Sequence, residues 1–141
     1  MRRPSGGSAF APVVVDASVL TELVLGLPAA EQAAQVLSER DLIAPSHLDS
    51  EVLSAIFGLL RAKRIGDERA SLAVTRLVTA PVERVAAQAL VRDALELRHN
   101  LSAYDALYVA LARRLDCRLV TADRRMATAP GLGVAVTVVG G

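Results

Sequence analysis

Four carboxylates in this chain could do chemistry together: Asp16, Glu51, Asp105 and Asp123. Asp16 ends the apolar run Val13-Val14-Val15, and Asp123 ends Leu119-Val120-Thr121-Ala122. Glu51 and Asp105 fall inside segments with helical spacing. Carboxylates just past strand ends, joined by carboxylates from helices, concentrate negative charge in one place. Such a group repels itself, which favours a bound cation. With no cysteine and no obvious histidine partner, these oxygen donors suit magnesium or manganese better than zinc.

Each acid also has a plainer reading. Asp16 and Asp123 could cap the helices that follow them, since aspartate is a preferred cap. Asp105 lies three residues after Ser102, so the pair could form a capping box with Asp in place of Glu. Glu51 has the weakest such alternative, because Asp49 is the more natural capping acid after Ser46. Glu22 reads as surface or outer shell, since six positions from Asp16 is an imperfect helical repeat. His47 and His99 sit near helix ends, where dipole interactions suffice. Cys117 reads as a small core residue. Tyr104 and Tyr108 read as packing around the Asp105 helix. Gly131-Leu132-Gly133 lacks the third glycine of a dinucleotide loop and reads as a turn.

The elements that position these residues alternate. Strands are expected at Val13–Val15, at Leu42–Ala44 closed by Pro45, at Val82–Val85, at Cys117–Thr121 and at Val134–Val139. Helices are expected from Asp16 to Gly26, from Pro28 to Arg40, from Ser46 to Lys63 and from Gly66-Asp67 to Val78. Further helices are expected over Ala87–His99 and Ser102–Leu115, with a helical turn over Asp123–Ala129. Strands alternating with helices imply an α/β fold with a mostly parallel sheet covered on both faces. In such sheets ligands bind beyond the carboxyl ends of the strands, at the topological switch point, where helix N-termini favour phosphate oxygens.

Composition sets the outer limits. The chain of 141 residues fits a single domain over residues 12–141. Residues 1–11, rich in Gly, Ser and Pro and without an apolar core, read as a flexible lead-in. The single cysteine excludes an intrachain disulfide and fits a reducing compartment. No uninterrupted apolar stretch is long enough to span a membrane. The formal net charge is +1, so no global basic field marks a nucleic-acid binder. Aromatics make up 3% of residues, which argues against base stacking on an aromatic platform.

The stretch from Ser102 through Tyr104-Asp105-Ala106 and Tyr108 to Ala112, followed by Leu119-Val120-Thr121-Ala122-Asp123-Arg124-Arg125-Met126, closely resembles the PIN-domain family. Within it the match is to the VapC-type toxins of type II toxin–antitoxin systems. Val15-Asp16-Ala17-Ser18 fits as well, as does Pro45 followed by a helix bearing Glu51, and the resemblance runs over about residues 12–139. It implies a PIN-like, Rossmann-like fold and a magnesium- or manganese-dependent endoribonuclease. Asp16, Glu51, Asp105 and Asp123 match the family's acidic quartet; Ser18 and Thr121 match the hydroxyl positions beside it. Asp16 and Asp105 are expected to be the most direct ligands, with Asp123 and Glu51 completing the site. Arg61, Lys63, Arg64, Arg124 and Arg125 are candidate phosphate contacts, or else solvated helix surface. The resemblance further implies a VapB-type antitoxin partner, a homodimer, a cytoplasmic location, and transfer or ribosomal RNA as target, with translation and growth inhibited. The alternatives are a PIN nuclease of RNA processing that is not a toxin, and a catalytically silent PIN binding module. A phospho-receiver is disfavoured, because only one acid follows the first strand and Lys63 is the only lysine.

Overall fold

Three consecutive valines suit a strand buried on both faces, and in the computed structural model they form the centre of the sheet. The structure describes residues 10–140, so residues 1–9 of the expected lead-in lie outside it. Strand β1 (Pro12–Val15) passes through Asp16 into α1 (Ala17–Leu25), and α2 (Ala30–Leu37) returns the chain to β2 (Asp41–Pro45). Helices α3 (Leu48–Arg61) and α4 (Asp67–Thr79) lead to β3 (Val82–Val85). A 3-10 turn (Ala87–Leu90), the short α5 (Val91–Leu95) and α6 (Ala103–Leu115) lead to β4 (Arg118–Thr121), and α7 (Arg124–Thr128) to β5 (Val136–Val138).

The five strands run in the order β3-β2-β1-β4-β5, and every neighbouring pair is parallel. Val14 pairs with Ile43 on one side and Leu119 on the other, which fixes the central register. Side chains alternate across β1. Val14, with Leu119, joins a core built with Val52 and Ile56 of α3 and Val109 of α6. Val13 and Val15, with Val120, join a second core with Ala33 and Leu37 of α2. Helices therefore cover both faces, as the alternation of elements implied. The chain winds outward from β1 to β2 and β3, then crosses back to β4 and β5, so the switch point lies between β1 and β4.

Local differences from the expected elements have identifiable causes. The second helix starts at Ala30, because a turn with Ala30 N–H on the Leu27 carbonyl, 2.9 Å, takes up Pro28. The helix carrying Glu51 starts at Leu48, since the Ser46 hydroxyl accepts from Ala87 N–H across the sheet end instead of capping. Asp49 does not cap that helix either; its carboxylate pairs with Arg84 at 2.9 Å. The expected long helix from Ala87 breaks into a 3-10 turn, a short helix and further turns, which bring Leu90, Ala94 and Leu97 inward to the core. The last strand shortens to Val136–Val138. No helix of the described residues is long and apolar enough to cross a membrane.

Candidate metal and phosphate site

Asp16 sits where β1 becomes α1, and its amide donates to the Val120 carbonyl at 2.9 Å. That bond holds the ends of β1 and β4 together at the switch point. The carboxylate does not cap α1. Instead Oδ2 accepts the Ser18 hydroxyl at 2.6 Å and the Thr121 hydroxyl at 2.8 Å. The same two hydroxyls accept from backbone: Ser18 from Ala122 N–H at 2.9 Å, Thr121 from Asp123 N–H at 3.0 Å. Each hydroxyl thus spends its proton on Asp16 and its lone pair on the turn that presents Asp123. Asp16 is 5% exposed. Burial pushes its pKa up, against the pull of the two hydroxyls, and repulsion from Glu51 and Asp105 raises it further.

Asp105 enters from the first turn of α6, with its amide on the Ser102 hydroxyl at 3.2 Å, half of the expected capping box. Burial raises its pKa; Ser102 works against this, while Asp123 and Glu51 add repulsion. Asp123 does cap α7, accepting Arg125 N–H at 2.9 Å, and the Arg125 side chain adds an ion pair at 3.3 Å. Those contacts hold the Asp123 carboxyl below the usual carboxylate range. Glu51 stands in the first turn of α3, and its Oε1 accepts the Tyr108 hydroxyl at 2.8 Å. Burial, then the charge of Glu51, pushes the Tyr108 phenol well up, so it stays a donor.

Asp105 feels the charge of both Glu51 and Asp123, and Asp16 that of Glu51 and Asp105, so carboxylates from four different elements are coupled through Asp105. Among the described residues, no three His, Cys, Asp or Glu side chains converge closely enough to form a finished ligand cage. The site is prepared by charge and orientation more than by closure. Both hydroxyl bonds to Asp16 fall on Oδ2, and the Tyr108 bond falls on Oε1 of Glu51, so Oδ1 and Oε2 are left as donors. The donor set is all hard carboxylate oxygen, which fits a magnesium or manganese ion.

A cleft of about 340 Å³ beside the quartet is lined by Ser102, Asp105, Asp123 and Arg125. A second, of about 510 Å³, is lined by His47, Ser50, Glu51, Ser54 and Tyr104. A larger cavity, about 660 Å³, opens at the opposite strand ends beside Pro12, Asp116 and Arg118, and none of the quartet lines it. Among the basic candidates, Arg124 and Arg125 follow Asp123 directly and are exposed, and Arg125 lines the cleft beside Asp123. Arg61, Lys63 and Arg64 are exposed at the far end of α3, roughly 15 Å or more from Glu51 by helical rise. They are not brought to the quartet.

Three residues make contacts that the sequence reading did not contain, and one of them, Tyr104, departs from it. Glu22 bonds Ala29 N–H at 3.3 Å and ties α1 to the turn before α2. His47 is wedged against Tyr104 and Tyr108, with Nε2 3.1 Å from Glu51 Oε1 but not aligned to donate. Tyr104 does not pack inward: it is 61% exposed, whereas Tyr108 is fully buried. The signal for this cluster was present, since His47 and Glu51, like Tyr104 and Tyr108, are four apart and share helix faces.

The family described as PIN domain matches residues 13–132. The chain is also 39% identical over 129 residues to Ribonuclease VapC9 of Mycobacterium tuberculosis H37Rv, covering 90% of this chain and 98% of the relative. The chain belongs to the PIN-domain family, among the VapC ribonucleases. PAE2754 from Pyrobaculum aerophilum shares the fold of this PIN domain with a TM-score of 0.64 at 24% identity, over 94% of this chain and 88% of the other. VapBC2 from Rickettsia felis, solved bound to a promoter DNA fragment, matches with a TM-score of 0.62 at 11% identity, over 90% of this chain and 98% of that one.

Proposed function

We propose that this PIN domain is a magnesium- or manganese-dependent endoribonuclease that serves as the toxin of a toxin–antitoxin pair. The observation that carries the reading is the burial of Asp16 at the switch point, held by Ser18 and Thr121 within reach of the charge of Glu51 and Asp105. A folded chain places mutually repelling carboxylates together when something positive is to join them. Asp16 and Asp105 would hold the ion, with Glu51 and Asp123 completing its shell. When bound, such an ion supplies an activated water and neutralises charge on the scissile phosphate.

The chain's own residues prepare that chemistry. Ser18 and Thr121 fix Asp16 so that one oxygen stays available. Tyr108 fixes Glu51 in the same way. Arg125, already beside Asp123, is placed to swing toward a phosphate oxygen, as an exposed guanidinium can. Helix α6 directs its N-terminus, at Ser102 and Asp105, into the same crevice, and that end favours an anion.

A VapB-type antitoxin is the proposed partner, and two features support it. The acidic crevice could accept an arginine from a partner segment. On α3, Leu53 and Phe57 are exposed one turn apart, 39% and 49%, while Ile56 belongs to the core. A partner helix would meet Leu53 and Phe57. The unclosed ligand set keeps one second reading in view, a non-catalytic binding module. Incubating purified protein with total RNA separates the two. Discrete cuts that require magnesium or manganese, stop with EDTA and vanish in Asp16→Asn are expected. An intact, folded wild type that leaves RNA uncut would make the quartet a binding site alone.

A further inference from the structure

The aromatic-poor chain spends one of its two tyrosines on the surface, at a specific place. Tyr104 immediately precedes Asp105 and is 61% exposed. Its ring is backed by His47, with ring centroids 5.6 Å apart and planes inclined by 30°. His47 is in turn backed by the buried Tyr108, 4.7 Å away. The exposed ring is thus backed by two further rings, one behind the other. The cleft in front of it is about 510 Å³, and Ser50 and Ser54 line it from adjacent turns of α3. Glu51 lines the same cleft and also faces the quartet, so the two spaces adjoin.

We propose that this cleft is a nucleobase subsite: an unpaired RNA base stacks on Tyr104 while Ser50 and Ser54 meet its hydrogen-bonding edge. The proposal rests on the ribonuclease reading above and extends it to how the substrate is held. A phosphodiester positioned at Asp16 and Asp105 has a neighbouring nucleotide on each side. On the α3 side that neighbour meets Tyr104. Proteins read single-stranded RNA by splaying bases onto aromatic rings and bonding their edges, and a hydroxyl can serve as donor or acceptor there. A paired base presents no free face, so the subsite selects loops, bulges or ends. Ser50 and Ser54 would bias which base is accepted, whereas Tyr104 would supply affinity without choosing among bases.

The test uses the full chain carrying Asp16→Asn, so that RNA is bound and not cut. The chain has two tyrosines and no tryptophan, and Tyr108 is buried, so quenching of tyrosine fluorescence reports Tyr104. Single-stranded oligoribonucleotides of mixed sequence should quench it, whereas the same sequences paired into a duplex should not. Tyr104→Leu should weaken single-strand binding by about 5- to 150-fold, the range for losing one stacked base, and Tyr104→Phe should restore it. Melting temperatures should match, because the ring is on the surface. In the active protein, Ser54→Ala should shift the base preferred beside the cut while cleavage persists. Equal affinity of Tyr104→Leu and the parent would overturn the subsite. So would a change in sedimentation with unchanged RNA affinity, which would assign the ring to an interface between copies. Neither result would touch the nuclease reading, which fails separately if wild type leaves RNA uncut.

Discussion

At the scale of single residues, the site depends on two hydroxyls that each donate once and accept once. Thr121 is fully buried, and replacing it with valine preserves shape while removing both bonds. Asp16 then loses a donor and the Asp123 amide loses an acceptor. Thr121→Val should destabilise the protein by about 1–3 kcal/mol, measured by urea unfolding, because a buried partner is left unmade. Cleavage should fall with it, since Asp16 is no longer fixed. An unchanged unfolding midpoint would show that neither bond matters. Protonation provides a second residue-scale prediction. Asp16 and Asp105 have pKa values raised above the ordinary 3.8, chiefly by burial. The folded state therefore binds protons more readily than the unfolded chain, so stability falls as pH climbs from 3.8 through the raised values. Asp123, held low by Arg125, acts oppositely and below that window, losing its contribution as pH drops through its folded value. In EDTA the protein should melt at a higher temperature in mildly acidic buffer than at neutral pH, and Asp16→Asn should flatten the difference. A melting temperature that rises toward neutrality would contradict the upward shifts of Asp16 and Asp105.

At the scale of elements, the fold follows from where strands end. Helix α1 ends at Gly26, whose φ of 61° lies in the left-handed region, and nothing stands within 4 Å of where a Cβ would be. The cost of a side chain there is conformational, not steric. Gly26→Ala should destabilise by about 1 kcal/mol, read by denaturant titration, and should leave cleavage per folded molecule unchanged, because the turn is remote from the quartet. A loss of cleavage at equal stability would tie this helix end to the site. The same scale explains what the sequence could reveal. Parallel strands bury both faces, so continuous valine runs mark them, and the acids after β1 and β4 were legible as strand-end residues. Ser18 and Thr121 were reached through the resemblance to the PIN-domain family, not through the strand pattern. The spacing of Tyr104 to Tyr108 was legible too, but not the exposure of Tyr104, which depends on how α6 meets α3. Nor was Ser46, whose hydroxyl serves Ala87 from a neighbouring connection and not its own helix. The segment after Ala87 misled for a related reason: its apolar residues fit a helical repeat, but tertiary packing tightened it into a 3-10 turn.

At the scale of the whole molecule, charge constrains how RNA can be held. With 16 basic and 15 acidic residues, no long-range field gathers polyanions, and the quartet itself repels them. Attraction has to be local, and the structure leaves few cations at the crevice. Arg125 lines it and Arg124 is its exposed neighbour in the chain; Arg61, Lys63 and Arg64 are a helix length away. Binding of single-stranded RNA by Asp16→Asn should therefore depend only modestly on salt. If two to four phosphates are neutralised, log affinity against log salt should slope by roughly −1.4 to −2.8, at about −0.7 per contact on single strands. Arg124→Ala should reduce that slope by about one contact. Arg61→Ala should leave it unchanged for short oligonucleotides that cannot span from the crevice to the end of α3, and should reduce it only for longer ones. A steep slope on short RNA, or equal effects of Arg61 and Arg124 at every length, would mean that the strand takes a different path over the surface. A shallow slope with strong binding would instead place most of the affinity in uncharged contacts, such as a base stacked on Tyr104.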